Sequence, residues 1–253
     1  MKNNKKLRRI EELEYKYLDK YYHFLKFVET EMLFGFKTKD KIRKDWEQFY
    51  NVGQDFAVGA ERIVYALLNG KGIGQPNSNP VSSDLFFEVE DAYIHIDMKT
   101  VITDNIGDFN TSIFVGENQN SYRSKMIVSG KNVREYKPNL PTFYQKGTKD
   151  EKVCLTYFIT ILSDPKTLDV MLISLMCMPN GELEKVYGPD VLKAGKNPGK
   201  ARFNFCKVPF FKLLGNGEDH LRIKIIYFNE NMSEDIKDQL GFYYDIYTGN
   251  YYK

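Results

Sequence analysis

Two nearly continuous apolar runs, joined by a short turn, constrain the fold of this 253-residue sequence more than any other feature. They read VCLTYFITILSD at residues 153–164 and TLDVMLISLMCMP at residues 167–179, and they meet at the turn residues Asp164-Pro165-Lys166. Such runs, rich in β-branched and aromatic residues, are typical of strands that are covered on both faces. The sequence therefore predicts a sheet with other elements packed on both sides of it.

Helices are predicted before this strand pair. Apolar residues recur at three- and four-residue steps between charged ones over residues 5–33, which predicts a long helix within a helical N-terminal region at residues 1–50. A second helix is predicted at about Gln54–Asn69, with Gly70 as its C-terminal cap.

Two further strand candidates follow the apolar pair. They read ARFNFCKV at residues 201–208 and HLRIKIIYF at residues 220–228, whereas the tyrosine-rich tail at residues 242–253 fits neither pattern. The sequence contains no internal repeat and no linker of the length that separates domains. We therefore predict a single α/β domain over residues 1–253.

Composition excludes several classes of protein. With 42% hydrophobic residues the chain can bury a core, and no apolar run approaches the roughly 20 residues of a membrane helix. The charged N-terminus has no apolar signal-peptide core, so we expect a cytoplasmic protein without a membrane partner. Three scattered cysteines and three scattered histidines argue against a disulfide framework or a zinc cluster. The net charge of +2 neither requires nor excludes a nucleic acid partner.

A segment between the second helix and the apolar pair predicts a β-hairpin with charged side chains on one face. Over residues 92–101, aliphatic side chains alternate with Tyr93, His95, Asp97 and Lys99. An ordinary hairpin whose polar face points to solvent would show the same alternation, so the pattern alone leaves both interpretations open.

The register of this hairpin decides which charged groups meet. If Asp91-Ala92 closes the turn, Asp84 of the first strand lies opposite Lys99. Asp84 and Asp97 are then diagonal neighbours, roughly 7–8 Å apart, and can converge on one hard cation with Lys99 beside it. A divalent metal held in this way lowers the pKa of a bound water and neutralises charge on a phosphate.

These residues carry a resemblance to a known family. SSD at residues 82–84, followed by DMK at residues 97–99, resembles the PD-(D/E)xK motif of nucleases such as the type II restriction endonucleases. The resemblance implies a mixed central β-sheet flanked by helices, with Asp84 and Asp97 as Mg²⁺ ligands and Lys99 as a catalytic residue. Ser83 stands where the family pattern has proline.

The order of elements over residues 53–101 extends the resemblance. Many members have an upstream helix with a glutamate near the metal, and Glu61 lies on the margin of the apolar stripe of DFAVGAERIVYALLNG. The resemblance implies that Glu61 is a further catalytic and metal-binding residue. The alternative is a boundary glutamate that reaches into solvent.

Two polar segments are candidates for DNA contact, although solvated loops would have the same composition. Amide, hydroxyl and basic side chains of this kind bind base edges and phosphates. The segment GENQNSYRSK contributes Asn118, Gln119, Asn120, Ser121, Tyr122, Arg123 and Lys125, and LKAGKNPGKAR contributes Lys196, Lys200 and Arg202. The glycine-rich GKGIG at residues 70–74 lacks the spacing of a phosphate-binding loop, so no nucleotide cofactor is expected.

The resemblance implies a type II restriction endonuclease that hydrolyses double-stranded DNA in a Mg²⁺-dependent reaction and leaves 5′-phosphate ends. It also implies a homodimer, because a palindromic site matches two-fold symmetry. Two alternatives stay open: a DNA repair or junction-resolving nuclease of the same fold, and a non-catalytic DNA-binding protein whose hairpin is only a polar surface. A protein-interaction domain that never contacts DNA is a further alternative.

Overall fold

The computed structural model describes residues 2–38, 55–70, 75–76, 83–129, 132–197, 200–214 and 220–252. Within these ranges the helices are α1 (Lys2–Phe27), α2 (Glu29–Thr38), α3 (Asp55–Asn69), α4 (Glu184–Tyr187) and α5 (Glu234–Thr248). The strands are β1 (Gln75–Pro76), β2 (Leu85–Glu88), β3 (Ala92–Ile102), β4 (Ile113–Val115), β5 (Ser124–Ser129), β6 (Asn132–Tyr136), β7 (Phe143–Tyr144), β8 (Lys152–Ser163), β9 (Val170–Met178), β10 (Leu192–Ala194), β11 (Ala201–Phe203) and β12 (Ile223–Phe228).

The two apolar runs form neighbouring strands of a mixed sheet. The strand order is β1-β2-β3-β8-β9-β12, with β7 also paired to β8. Strands β3 and β8 are parallel, whereas the other pairs of this sheet are antiparallel. Strand β8 is buried from Val153 to Ser163, which confirms that elements cover both of its faces. The turn at Asp164 is also confirmed, because its carboxylate accepts backbone hydrogen bonds from Lys166 at 2.7 Å and Thr167 at 2.8 Å.

Adjacent residues of β8 show what covers each face. The Tyr157 hydroxyl donates to the backbone oxygen of Glu14 at 2.8 Å, so α1 lies on one face. The Phe158 ring points to the other face, where its centroid is 6.4 Å from that of Phe203 on β11. On that second face, Asp97 of β3 is the parallel partner of Phe158. The helix α1 and Asp97 therefore lie on opposite sides of the sheet.

Several predicted elements differ from the observed ones in extent. The long N-terminal helix is interrupted at Val28, although hydrogen bonding continues through the interruption, from Val28 N to Phe24 O and from Met32 N to Val28 O. Of the predicted helical region, residues 39–50 lie outside the described residues, as do Gln54 and residues 71–74. The strand predicted at 201–208 stops at Phe203, because a turn follows in which Lys207 N donates to Asn204 O.

The tyrosine-rich tail, for which the sequence made no prediction, continues α5 up to Thr248. Within the described ranges, no helix combines the length and the apolar character needed to cross a membrane.

A buried ion cluster ties α1 to the residue before β12. Arg222 Nη2 lies 2.8 Å from Glu14 Oε2 and 3.3 Å from Glu11 Oε1, and all three side chains are fully buried. Glu11 also accepts hydrogen bonds from the Tyr187 hydroxyl and from the backbone of Lys212 and Leu213. Burial raises the pKa of Glu14 to about 7, an effect that Arg222 opposes and Glu11 reinforces. One guanidinium thus contacts two carboxylates, and it does not fully offset the cost of burying the Glu14 carboxylate.

The several hydrogen bonds that Glu11 accepts and the raised pKa of Glu14 predict different outcomes for two matched substitutions. Glu11→Gln should lower the free energy of unfolding by about 2–4 kcal/mol, because it leaves several buried donors poorly paired. Glu14→Gln should cost less. Because the pKa of Glu14 is higher in the folded than in the unfolded protein, the free energy of unfolding of the wild type falls as the pH rises from about 4.5 through about 7. Glu14→Gln lacks this titration, so its free energy of unfolding should increase relative to that of the wild type by up to about 3 kcal/mol over this interval.

Urea unfolding at about pH 5 and about pH 8 measures both effects. Glu12→Gln is the control, since the Glu12 side chain is half exposed on the same helix. A Glu14→Gln difference that does not change with pH would contradict the assignment.

Candidate active site

The predicted hairpin forms, but the predicted register is wrong by two residues. Val89 N donates to Ala92 O at 3.0 Å, so Glu90 and Asp91 form the turn. Leu85 pairs with Ile96, and continuing this register by one residue places Asp84 opposite Asp97 instead of Lys99. A shift of two residues preserves which side chains share a face. The two aspartates are therefore closer than the sequence predicted.

A long-range contact explains the position of the turn. The Asp91 carboxylate accepts hydrogen bonds from Lys16 Nζ, at 2.7 Å, and from the Tyr17 hydroxyl, both on α1. These bonds hold Asp91 at the tip of the hairpin. The hairpin sequence alone does not contain this information.

Asp84 and Asp97 are anchored differently. Asp84 is exposed at the start of β2, and its Oδ2 accepts a hydrogen bond from Met98 N at 2.6 Å. Asp97 is 2% exposed, and its Oδ1 accepts a hydrogen bond from Gln119 Nε2 at 2.9 Å. Burial raises the pKa of Asp97 to about 6; Lys99 opposes this effect and Asp84 adds to it. The two carboxylates thus repel each other at close range.

One oxygen of Asp97 is incompletely satisfied. Its buried Oδ2 forms an ion pair with Lys99 Nζ, but it accepts no hydrogen bond of regular geometry from the described residues. A buried carboxylate oxygen of this kind, beside a second carboxylate, suits a hard divalent cation whose other positions are filled by water or substrate oxygens. Asp84 and Asp97 therefore fit the divalent metal that the family implies.

Lys99 is held from several sides. Its ammonium group contacts Asp97 and donates to Gln119 Oε1 at 2.9 Å. It also lies 5.6 Å from the ring centre of Phe114 and 5.5 Å from that of Phe158. The lysine side chain is only 14% exposed, so its charge is confined to the neighbourhood of Asp97.

Glu61 lies near the pair but is not part of a cluster with it. Burial raises the pKa of Glu61, and repulsion from Asp84 raises it further. Among the described residues, however, no three His, Cys, Asp or Glu side chains form a group that could hold a metal ion. The structure brings together Asp84, Asp97 and Lys99 and leaves Glu61 at their margin.

His95 belongs to an aromatic cluster behind Asp84. Its Nδ1 is 2.7 Å from Ser83 Oγ, its Nε2 is 2.9 Å from the Tyr144 hydroxyl, and its ring stacks on Phe86 with centroids 4.3 Å apart. Burial lowers the pKa of His95 to about 3, so the ring is neutral at physiological pH. His95 thus fixes the residue that precedes Asp84.

Three of the predicted DNA contacts lie inside the protein, and these predictions are corrected. Asn120 donates to Gly116 O at 3.1 Å and to the Tyr136 hydroxyl at 2.8 Å. Ser121 Oγ accepts from Gly181 N, and the buried Tyr122 hydroxyl donates to Gly188 O. Their polar groups are used to fold the segment, which composition could not reveal.

Most of the other predicted contacts lie on the surface. Asn118, Arg123, Lys125, Lys196 and Lys200 are exposed. Arg202 is partly buried, and its guanidinium contacts Ser112 Oγ at 3.0 Å, Ser112 O at 2.7 Å and Asp108, so its contact with DNA stays a prediction.

Gln119 and Phe114 connect the DNA-contact candidates to strand β3. Gln119, predicted as a base-reading residue, instead bonds to both Asp97 and Lys99. Phe114 was not predicted at all. Its ring is near Lys99 and also lies 4.9 Å from Lys200 Nζ. No periodicity marks Phe114 in the polar segment that contains it, so the sequence offers no signal for its role.

Two family models match the chain. "Type II restriction enzyme MwoI, N-terminal domain" matches residues 6–167, and "Type II restriction enzyme MwoI, central domain" matches residues 170–228. The central sheet contains strands from both matched segments, and the single-domain organisation stays a prediction. Among curated proteins, none matches the chain.

Two solved structures are similar over most of the chain. The restriction endonuclease BglI, bound to its DNA recognition sequence, aligns with a TM-score of 0.68 at 14% identity, over 88% of this chain and 94% of that one. The tetrameric restriction endonuclease SfiI, bound to cognate DNA, aligns with a TM-score of 0.66 at 14% identity, over 89% of this chain and 87% of that one. These similarities confirm the predicted fold, a mixed central β-sheet flanked by helices.

The repulsion between Asp84 and the buried Asp97 predicts that neutralising Asp97 raises the free energy of unfolding. Because burial raises the pKa of Asp97 to about 6, ionised Asp97 destabilises the metal-free fold at neutral pH. Asp97→Asn should therefore increase the free energy of unfolding by about 2 kcal/mol in EDTA. Added Mg²⁺ should raise the melting temperature of the wild-type protein but not that of the variant.

Asp104→Asn is the control, since Asp104 is exposed just beyond the end of β3. If Asp97→Asn destabilised the metal-free protein, or left the response to Mg²⁺ intact, the geometry described for the pair would be contradicted.

Proposed function

Since the chain belongs to the MwoI family of type II restriction enzymes and is therefore a site-specific deoxyribonuclease, we propose that it cleaves double-stranded DNA with Asp84, Asp97 and Lys99 as its catalytic residues. The observation that carries this proposal is the register of β2 and β3. Extended by one residue beyond the pair Leu85 and Ile96, it places Asp84 opposite Asp97. Lys99 contacts the second of these carboxylates. The resemblance of residues 82–99 to the PD-(D/E)xK motif supports the same assignment.

Asp84 and Asp97 would hold the divalent metal, and we propose Mg²⁺ because carboxylates and water are the ligands it prefers. When bound, the ion acts as a Lewis acid that activates water and stabilises charge on the phosphate. Asp84, exposed and anchored to Met98 N, would present its other oxygen towards the substrate. Glu61, at the margin of the pair, would add a third carboxylate on the side of Asp84.

Lys99 would hold the attacking water. Its ammonium group has three N–H donors, and contacts to Asp97 and Gln119 leave one of them for a water or phosphate oxygen. In the proposed hydrolysis, the water oxygen bonds to phosphorus and releases one proton to solvent, the bond to the 3′-oxygen breaks, and the leaving oxygen takes up a proton from solvent. The products are a 5′-phosphate and a 3′-hydroxyl.

The exposed candidates Asn118, Arg123, Lys125, Lys196 and Lys200 would contact the DNA. BglI and SfiI are described bound to DNA, which supports the duplex as partner, and SfiI is described as a tetramer. We propose a homodimer for this chain, because two copies of one active site can cut both strands of a symmetric sequence. A cytoplasmic location stays a prediction from the sequence.

Removal of the catalytic ammonium group tests the proposed function directly. Wild-type protein incubated with plasmid DNA and Mg²⁺ should yield discrete fragments whose ends share one sequence. Lys99→Ala should lower the single-turnover cleavage rate by at least about 100-fold, with DNA affinity changed by less than about twofold.

Lys20→Ala is the matched control, because Lys20 is an exposed lysine of α1 on the opposite face of the sheet. Equal cleavage by Lys99→Ala and wild type would exclude the proposed catalytic role. Structure-selective cutting without a fixed sequence would favour a repair or junction-resolving nuclease.

Removal of any one exposed lysine among the DNA-contact candidates should weaken the binding of duplex DNA. Alanine at Lys125, Lys196 or Lys200 should each weaken binding and reduce the slope of log K against log[salt] by about 1, because each removes one phosphate contact. Fluorescence anisotropy with duplex DNA in EDTA, at several salt concentrations, measures the slope. Lys20→Ala should leave the slope unchanged, and unchanged slopes for all three variants would place the DNA elsewhere.

A further inference from the structure

We propose that Gln119 is a positioning residue of the catalytic centre, whose side-chain amide sets the geometry of Asp97 and Lys99. This inference rests on the proposed function of that centre. The amide bridges the two residues: Nε2 donates to Asp97 Oδ1 at 2.9 Å, and Oε1 accepts from Lys99 Nζ at 2.9 Å. Gln119 reaches this position from outside the β2–β3 hairpin, from a turn at Glu117–Gln119.

The orientation of the amide is determined by its neighbours. Gly116 N donates to Gln119 Oε1 at 2.8 Å, so this oxygen receives two donors. A flipped amide would point its NH₂ group at the Gly116 N–H and at the Lys99 ammonium, and its oxygen at the Asp97 carboxylate. All three contacts would be repulsive. Only one orientation of Gln119 is therefore compatible with the site.

The turn that carries Gln119 is itself fixed. Asn120, the next residue, is buried and bonded to Gly116 O and to the Tyr136 hydroxyl. Asn139 N donates to the backbone oxygen of Glu117 at 2.7 Å. These bonds anchor the turn on β6 and on the segment after it. The amide thus acts from a preorganised support, as a residue must if it is to hold catalytic groups in place.

The bridge determines which atoms remain available for chemistry. Asp97 Oδ1 is occupied by Gln119, so Oδ2, which Lys99 contacts without a hydrogen bond of regular geometry, is the oxygen that can still bind a cation. One N–H of Lys99 is directed to Gln119, which restrains the ammonium from closing on both oxygens of Asp97. Without the amide, Lys99 would compete more strongly with a divalent cation for the same carboxylate.

A neutral amide of this length is required for both contacts. A glutamate would accept from Lys99 but repel Asp97, and a methionine would fill the same space without either hydrogen bond. Loss of an outer partner of a metal ligand typically costs 10–100-fold in metal affinity or activity. Gln119→Met and Gln119→Glu therefore distinguish a role of the two amide hydrogen bonds from a role of the side-chain volume alone.

The experiment compares the full-length wild type, Gln119→Met, Gln119→Glu and Glu117→Gln as the control. Glu117 is exposed in the same turn, and its side chain belongs to no contact that the site uses. The first readout needs no DNA: the Mg²⁺ concentration at the midpoint of thermal stabilisation. We expect this midpoint to rise about tenfold in Gln119→Met, with a melting temperature in EDTA close to that of wild type.

The second readout is the single-turnover cleavage rate with the DNA affinity measured alongside it. Gln119→Met and Gln119→Glu should each lose about 10–100-fold in rate while DNA affinity changes by less than about twofold. In the Lys99→Ala background, Gln119→Met should cost much less, because the amide acts partly through Lys99. Glu117→Gln should match wild type throughout.

The outcomes distinguish the inference from the proposed function. If Gln119→Met keeps the wild-type Mg²⁺ midpoint and cleaves within about threefold of wild type, the positioning role is overturned even though the enzyme cuts DNA. If Gln119→Met is unaffected and Gln119→Glu alone is impaired, the effect is an added charge, and the inference also fails. If Lys99→Ala cleaves normally, the proposed function fails, while a shifted Mg²⁺ midpoint in Gln119→Met would still support the bridge at Asp97.

Discussion

The parallel ladder between β3 and β8 is the contact on which the rest of the structure depends. It pairs Ala92 with Val153 and continues without a register shift to Ile102 and Ser163. Strand β8 holds β3 along this whole length, and β2 pairs with β3 as far as Ile96, so Asp97 stays buried although its carboxylate prefers water. The sheet core thus imposes the environment that raises the pKa of Asp97, and α1 on the opposite face completes that core.

The fold tolerates the buried Asp97 carboxylate because neighbouring side chains offset part of the cost of burying it. Lys99 supplies charge, Gln119 supplies one hydrogen bond, and Asp84 approaches from the exposed strand end. The Arg222 cluster shows a different arrangement, in which one buried guanidinium contacts Glu11, Glu14 and the Tyr187 hydroxyl. Both clusters contain a buried carboxylate oxygen without a regular hydrogen bond, Glu14 Oε2 and Asp97 Oδ2, but Asp97 lies beside the exposed carboxylate of Asp84, which ions in solution can reach.

The local part of this structure could be predicted from the sequence, and the long-range part could not. Alternation over residues 92–101 identified the face that Asp97 and Lys99 share, and the apolar runs identified the two central strands. The register failed because the hairpin turn is fixed by Lys16 and Tyr17, which are distant in sequence. The DNA contact predicted for Asn120 failed for a related reason. The segment around Asn120 has the composition of a binding loop, but the Asn120 amide donates a hydrogen bond to the Tyr136 hydroxyl inside the protein. Side-chain partners of this kind are decided by tertiary contacts.

One aromatic side chain lies close to two positive charges at the candidate site. A net charge of +2 provides little overall attraction for DNA, so binding of a polyanion depends on where the positive charges are concentrated. Phe114 brings two of them together, because the ammonium groups of Lys99 and Lys200 lie 5.6 Å and 4.9 Å from its ring centre. The ring attracts cations by its quadrupole and offsets part of their mutual repulsion. Strand β4, which lies outside the central sheet, thereby places Lys99 of β3 and Lys200 near one ring, and two positive charges close to each other attract a polyanion more strongly than either charge alone.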